Sequence, residues 1–422
     1  MSIDSPRWNL SNVYPGLQSA EFTAAMAHYA EQVAALERLL DERSDELGPG
    51  AEPAACASLL GEIVRQFNAL YEQAGTLGPY IHSFVSTDSH NTLARRLDSE
   101  MELVNVRLKQ LGTRLRSLMG GLAPVLDTLP PLDETVASHE FALREMADQS
   151  KYLMPDALEG LAAELSLSST NLWSNLQGVI TSQLTADFEL GGEVRKLPLP
   201  ALINLHSHPS EDVRRRAYEA EIALLTSVRE PLAACMNGIK GTTNTLNRRR
   251  GRSDALHGPV DDSRIDRETL DAMLGAMADS FPVFRKYWRR KAQRLGKERL
   301  AWWDLWAPAG ETKKAYTFGE ARGFILKNFG DFSPHLENLA RRAFDGAWID
   351  AEQREGKRGG AFCMGVWAPR ESRVLCNFDG SLDQVSTLAH ELGHAFHNEC
   401  HYAAGKTPLQ SDTPMVLAET AS

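Results

Sequence analysis

The stretch "LDQVSTLAHELGHAFHNECH", residues 382–401, carries the most informative pattern in this chain of 422 residues. Its apolar residues recur at three- and four-residue spacing, which is the period of an amphipathic α-helix. They are Leu388, Leu392, Ala395 and Phe396. His390 and His394 stand four residues apart on this helix, so both point from one face, about 6 Å apart along the axis. The stretch therefore predicts a helix with one apolar side and one histidine side.

The histidine side is suited to a metal ion. The imidazole nitrogens of His390 and His394 can bind one Zn²⁺ at about 2.0–2.1 Å. Glu391 flanks the same face, where it is placed to touch a water on the metal rather than the metal itself. Leu392 and Gly393 are predicted to point toward the scaffold. We therefore expect one Zn²⁺ per chain, although similar ligands also bind Co²⁺ and Mn²⁺.

A third protein ligand must come from elsewhere in the chain. His397 continues the histidine stripe, but a ligand from the same helix closes a tetrahedral site less well than one from another segment, so we predict that it packs beside the site. Cys400 is expected to be a buried thiol. Asp412, in a proline-containing loop, and Glu419, at the start of a predicted helix, remain as candidates. A helix crossing the first could bring Glu419 to the metal and leave one position open for water, as in catalytic zinc sites.

This arrangement predicts a mechanism of peptide hydrolysis. Zn²⁺ lowers the pKa of its water from about 15.7 to about 7. Glu391 would take the proton as hydroxide attacks a peptide carbonyl, and would pass it to the leaving amine. Two short apolar runs before the helix, "AFCMGVW" and "RVLCNF", predict a β-hairpin. The hairpin could hold a substrate peptide as an additional strand.

The rest of the chain predicts a mainly helical protein. A strand pair is expected within residues 183–199, turning at Gly191 and Gly192, where a positive φ angle costs little. The amphipathic or helix-forming stretches are residues 21–43, 92–122, 133–150 and 210–250. We found no internal repeat and no long low-complexity linker.

Composition excludes several classes of partner. The formal net charge of −11 disfavours nucleic acid, since phosphate repels an acidic surface. No run approaches the roughly 20 apolar residues of a membrane span, and the N-terminus lacks the pattern of a signal peptide. Five cysteines without a CxxC pair predict reduced thiols in the cytoplasm. No pattern in the sequence favours one oligomeric state over another.

Several segments resemble the oligoendopeptidase F family of zinc metallopeptidases, relatives of thimet oligopeptidase. "WNLSNVYPG", "SEDVRRRAYEAE", "WWDLWAP" and "LDQVSTLAHELGHAFH" are similar to family segments and occur in the same order. The resemblance implies a zincin-like helical oligopeptidase, with a deep channel for short unfolded peptides and a small β-hairpin beside the zinc helix. It also implies that His390, His394 and Glu419 are the zinc ligands and Glu391 the general base.

The resemblance also suggests how the chain is divided. We expect an N-terminal helical domain over residues 1–195 and a zinc peptidase catalytic domain over residues 196–422. Family members run well past the position that matches Glu419, and their additional helical region is implied to carry His and Tyr side chains that bind substrate and stabilise the oxyanion. An alternative hypothesis is therefore a C-terminally truncated, catalytically impaired fragment, or half of a split enzyme, that acts as a scaffold. A helical binding module without chemistry is a third hypothesis, but it would have no need of Glu391.

Overall fold

The computed structural model of the protein describes residues 5–308, 310 and 314–422. The prediction of a mainly helical fold is confirmed. The helices are α1 (Ala20–Arg43), α2 (Pro53–Thr87), α3 (Thr92–Leu122), α4 (Glu134–Ser138), α5 (Glu140–Gln149), α6 (Asp156–Ser166), α7 (Leu172–Gln183), α8 (Leu199–Asn204), α9 (Glu211–Ser227), α10 (Arg229–Arg249), α11 (His257–Asp262), α12 (Arg267–Arg294), α13 (Phe318–Phe332), α14 (Pro334–Asp345), α15 (Leu382–Ala403) and α16 (Met415–Ala418). The strands are β1 (Thr185–Leu190), β2 (Glu193–Pro198), β3 (Ile349–Asp350), β4 (Phe362–Val366) and β5 (Glu371–Leu375).

Two large apolar cores organise these elements. The first lies among α1, α2, α3 and α5, where the apolar stripe of α1 is buried as its spacing predicts. The second lies between α13, α14 and α15 and a three-stranded sheet in the order β3-β5-β4. A smaller cluster joins β1 to α8 and α9. The predicted division between residues 195 and 196 stays a prediction.

Both predicted hairpins are present. β1 and β2 pair antiparallel from Thr185 opposite Pro198 to Leu190 opposite Glu193, and Gly191 and Gly192 of the turn have φ angles of 63° and 87°. β4 and β5 also pair antiparallel. The parallel strand β3 was not predicted, because two residues are too few to display a period.

The stretch 133–150, expected to be helical throughout, is divided in two at His139. The backbone of His139 has φ −110° and ψ 11°, which lies outside the helical region. Its buried ring lies within hydrogen-bond distance of Asn68 Nδ2 (3.0 Å), Thr135 O (2.8 Å) and Thr407 Oγ1 (2.8 Å). A side chain that links α2, α4 and the loop after α15 fixes the break, and no local pattern could reveal it.

Backbone hydrogen bonds join the N-terminal segment to the second core. Asn9 N–H donates to Ala347 O and Ala351 N–H donates to Pro6 O, each at 2.8 Å. Further on, Trp367 N–H, just after β4, donates to Gly75 O of α2 at 3.3 Å. The helical N-terminal part and the β4–β5 hairpin are therefore directly bonded to each other.

Helix α12 is unusually exposed. Every residue at positions 271–279 and 281–290 is exposed, including the large apolar side chains of Met277, Phe281 and Phe284. The accessible surface of the chain is 22512 Å², whereas a compact monomer of this mass exposes about 16,000 Å². The fold therefore leaves more surface open to solvent than its mass requires. Within the described residues, no helix is both long and apolar enough to cross a bilayer.

Candidate metal centre

Helix α15 presents the predicted histidines because its other side is anchored in the second core. Ser381 caps its N-terminus, and its side chain accepts a hydrogen bond from Gln384 N–H. Val385, Leu388 and Leu392 are buried against the sheet and α13. Burial of this stripe fixes the rotation of the helix, so the opposite side must face away from the core.

The exposed side of α15 meets the last residues of the chain. The rings of His390 and His394 lie with their centroids 4.8 Å apart. Glu419, in the turn that follows α16, brings Oε2 to 3.5 Å from His390 Nε2 and 3.7 Å from His394 Nε2. Among the described residues, these three form the group of possible metal ligands, with one donor atom of each within 4.8 Å of the others.

These distances can be compared with those that a tetrahedral zinc ion requires. With metal–ligand bonds of about 2.0–2.1 Å, neighbouring ligand atoms stand about 3.3–3.4 Å apart. The contacts of Glu419 with the two histidines are longer than this by only a few tenths of an ångström. Burial also lowers the pKa of His394, which favours the neutral imidazole that binds metals. The position of Glu419 relative to both histidines therefore fits a zinc ion, and the donor atoms of all three residues lie within 4.8 Å of one another.

The candidate centre is open on one side. The side chains of His390 and Glu419 are 42% and 54% exposed, whereas His394 is only 18% exposed. A metal bound to these three ligands would keep a face toward solvent, as a site needs if water or substrate is to take the fourth position.

Glu391 behaves differently from the group of three. It is buried, with 5% of its surface exposed, and within the described part of the chain it has no hydrogen-bond partner. Burial raises its pKa to about 7, and the negative charge of Glu419 adds to this rise. Glu391 is thus a carboxyl group that can exchange a proton near neutral pH, next to the candidate metal ligands.

The other candidates from the sequence lie outside this group. The Asp412 carboxylate pairs with Arg264 at 3.8 Å. His397 and His401 pack their rings against each other with centroids 4.3 Å apart, farther along the same face of α15. The expectation that Cys400 is buried was wrong, since this residue is exposed. It lies on the solvent side of α15, whereas Tyr402, two residues farther along the helix, is buried.

A cavity of about 880 Å³ lies beside the part of α15 that follows His394. It lies between the N-terminal helices, the end of β4 and the loop after α15. His397 and His401 form part of its wall, with Tyr71, Arg116 and Trp367 among the other lining residues. A cavity next to convergent polar groups is the usual form of a ligand site.

Two features near the centre were not found from the sequence. Lys357 is fully buried, and its Nζ lies 2.7 Å from an Asp350 carboxylate oxygen and donates to Cys376 O at 2.7 Å. It ties the loop before β4 to the sheet. Gly393, predicted to face the scaffold, instead lies against the backbone of Ala421 and Ser422. Neither residue belongs to a motif whose spacing reveals such contacts.

Comparison with known proteins finds matches that cover most of the chain. A family model described as "Peptidase family M3" matches residues 204–422. Oligopeptidase PepF of Bacillus subtilis is 21% identical over 428 residues, covering 98% of this chain and 60% of the relative. Group B oligopeptidase PepB of Streptococcus agalactiae is 25% identical over 232 residues, or 55% of this chain and 38% of the relative.

Solved structures share the fold. A Bacillus anthracis structure described as an oligoendopeptidase F superposes with a TM-score of 0.69 at 17% identity, covering 94% of this chain and 66% of that one. PZ peptidase A, solved with an inhibitor, gives a TM-score of 0.68 at 17% identity, covering 87% of this chain and 62% of that one. The chain spans 60% of the length of oligopeptidase PepF and 38% of the length of oligopeptidase PepB.

Proposed function

The chain belongs to peptidase family M3, and from that premise we propose that it is a zinc-dependent endopeptidase that hydrolyses short oligopeptides. The observation that carries the proposal is the convergence of His390, His394 and Glu419 at distances that suit zinc, with Glu391 beside them. Its relatives are named oligopeptidases and oligoendopeptidases, which supports the same substrate class.

The proposed chemistry assigns a role to each residue. His390, His394 and Glu419 would hold Zn²⁺, which when bound polarises a carbonyl group and acidifies water. Glu391 accepts the proton of the attacking water and delivers it to the leaving nitrogen. In the metal-free chain, burial raises the pKa of Glu391 to about 7, and a general base works best when its pKa lies near the operating pH.

The substrate would be an extended peptide. β4 is an edge strand of the sheet, and pairing with a strand edge accepts many sequences, since it uses the peptide backbone. The neighbouring cavity of about 880 Å³, with Tyr71 and Trp367 among its lining residues, has room for several side chains but not for a folded protein. Both features favour short, unfolded peptides.

A second hypothesis also has an observation in its favour. Charge stabilisation in a transition state is strongest where water is excluded, whereas His390 and Glu419 are 42% and 54% exposed. The same residues could therefore bind zinc in a chain that hydrolyses peptides poorly and acts as a scaffold or as part of a divided enzyme.

We further propose that the protein acts in the cytoplasm, without nucleic acid or membrane as a partner. All five cysteines are free, which suits a reducing compartment. The net charge of −11 opposes binding to nucleic acid.

Cleavage of internally quenched short peptides by the zinc-loaded protein tests the two hypotheses. We expect turnover by the native chain and by Glu399→Gln, a substitution on the same helix at a residue that pairs with Arg342. Glu391→Gln should retain its zinc and lose turnover. Turnover equal in all three proteins would refute the role of Glu391. If the native chain binds zinc but cleaves no peptide, the endopeptidase hypothesis is rejected and the scaffold hypothesis is supported.

A further inference from the structure

Gly393 stands at an unusually close contact between α15 and the end of the chain. A Cβ atom built at this position would lie 2.6 Å from Ala421 O and 2.8 Å from Ser422 Cα. Cβ atoms essentially never approach atoms of other residues beyond their chain neighbours within 3.0 Å. Both neighbours are backbone atoms, so neither can turn aside as a flexible side chain would. Only glycine allows the two segments to approach this closely.

The segment that carries Glu419 has few other attachments. Of residues 415–422, Ala418 and Ala421 are half-buried and the other six are exposed. Pro414, immediately before α16, is buried. The less exposed side of this segment is therefore formed by two small residues, Ala418 and Ala421. Gly393 lies opposite Ala421 and Ser422. The distance between α15 and the turn Glu419–Ala421 therefore determines the position of the Glu419 carboxylate.

We propose that Gly393 is a positioning residue for the third metal ligand. Its bare backbone lets the turn Glu419–Ala421 settle against α15 at the depth at which Glu419 meets His390 and His394. This inference rests on the proposed metal site and adds a requirement to it. The residue between Leu392 and His394 must be glycine for a reason that lies outside the helix.

The size of the conflict supports this role. An alanine at 393 would have to push Ala421 O from 2.6 Å to about the 3.4 Å of ordinary contact. A displacement of several tenths of an ångström exceeds the ±0.2 Å within which metal–ligand distances normally fall. Alanine is the better helix former of the two residues, so α15 itself would not be weakened by the substitution.

The test is the zinc affinity of Gly393→Ala, measured by competition with a chromophoric chelator. Because loss of groups that orient metal ligands typically weakens metal binding 10–100-fold, we expect a loss in that range. Gly323→Ala is the matched control, since Gly323 also lies inside a helix and a Cβ there meets no atom within 4 Å. The control should bind zinc like the native chain.

A double-mutant cycle shows whether Gly393 acts through Glu419. In a Glu419→Gln background, Gly393→Ala should weaken zinc binding no further, because the ligand that it positions is already lost. A native-like affinity for Gly393→Ala overturns the inference alone. An equal loss in both backgrounds also overturns it, since the substitution would then act on His394. A native chain that binds no zinc rejects the proposed function and the inference together.

The same contact can be removed from its other side. If Gly393→Ala does not fold, a chain ending at Thr420 lacks the two residues that press on Gly393 and keeps Glu419. The inference expects a comparable 10–100-fold loss of zinc affinity, and an unchanged affinity overturns it. Circular dichroism and thermal unfolding of the zinc-free proteins establish that each variant compared is folded.

Discussion

Replacing Glu419 by Gln removes a negative charge while it keeps the size of the side chain. Glu419 Oε2 lies 3.5 Å and 3.7 Å from the two histidine nitrogens, so the substitution acts at the candidate ligand itself. Carboxylate, imidazole and thiolate are the protein ligands that zinc uses, and a neutral amide is a poor replacement. The variant would be left with His390 and His394 as its two strong ligands.

The structure allows the effect to be estimated. Loss of a group that merely orients a ligand costs 10–100-fold in affinity, so loss of the ligand should cost at least about 100-fold. At a free zinc concentration 100 times the native dissociation constant, binding stabilises the native chain by about 2.7 kcal/mol, and a 100-fold weaker variant by only about 0.4 kcal/mol. For one cooperative transition of 422 residues, this difference corresponds to a midpoint about 2–3 °C lower.

The assay is thermal unfolding of each protein with and without zinc, together with a direct measurement of zinc affinity. Asp412→Asn is the matched control, since Asp412 was the other candidate ligand and pairs instead with Arg264 at 3.8 Å. Without zinc, all three proteins should unfold at similar temperatures, because both substituted residues are exposed. The reasoning is refuted if Glu419→Gln retains native zinc affinity, and more strongly if Asp412→Asn loses it.

Two further predictions concern the rest of the molecule. Burial, aided by the charge of Arg358, lowers the pKa of His82 to about 4, against about 6.5 in an unfolded chain. Between these values the unfolded state binds the extra proton, so the free energy of unfolding should fall as pH falls from 6.5 to 4, by up to about 3 kcal/mol. Urea unfolding of the native chain and of His82→Gln at pH 7 and pH 4.5 checks this, and an equal pH dependence in both would contradict it. Thiol labelling of the folded protein at pH 8 should modify Cys400 first, since it is exposed. Burial raises the pKa of Cys363 and Cys376 to about 12, so rapid labelling of either one, read by mass spectrometry, would show that this prediction is wrong.

Local sequence was enough to predict the elements that carry the candidate centre. Helix α15, the pairing of its two histidines on one face and the β4–β5 hairpin all follow from short periods, because a helix repeats every 3.6 residues and a strand every two. The predicted helices over residues 21–43 and 92–122 differ from α1 and α3 by one residue at most. These features depend on neighbours within a few residues, and a sequence displays such neighbours directly.

Contacts between distant residues were decided only by the tertiary structure. Spacing alone left Asp412 and Glu419 both open as third ligands, and the resemblance favoured Glu419. The fold brings Glu419 back to a helix that began almost 40 residues earlier. His139, whose ring lies within hydrogen-bond distance of Thr407, divides a predicted helix in two, and Gly393 faces the chain's last residues rather than the core. No periodic pattern in the sequence predicts these long-range contacts, because they are stabilised by the packing of segments that are far apart in the chain. The sequence by itself therefore determined which residues can bind a metal, and the packing decided which of them meet.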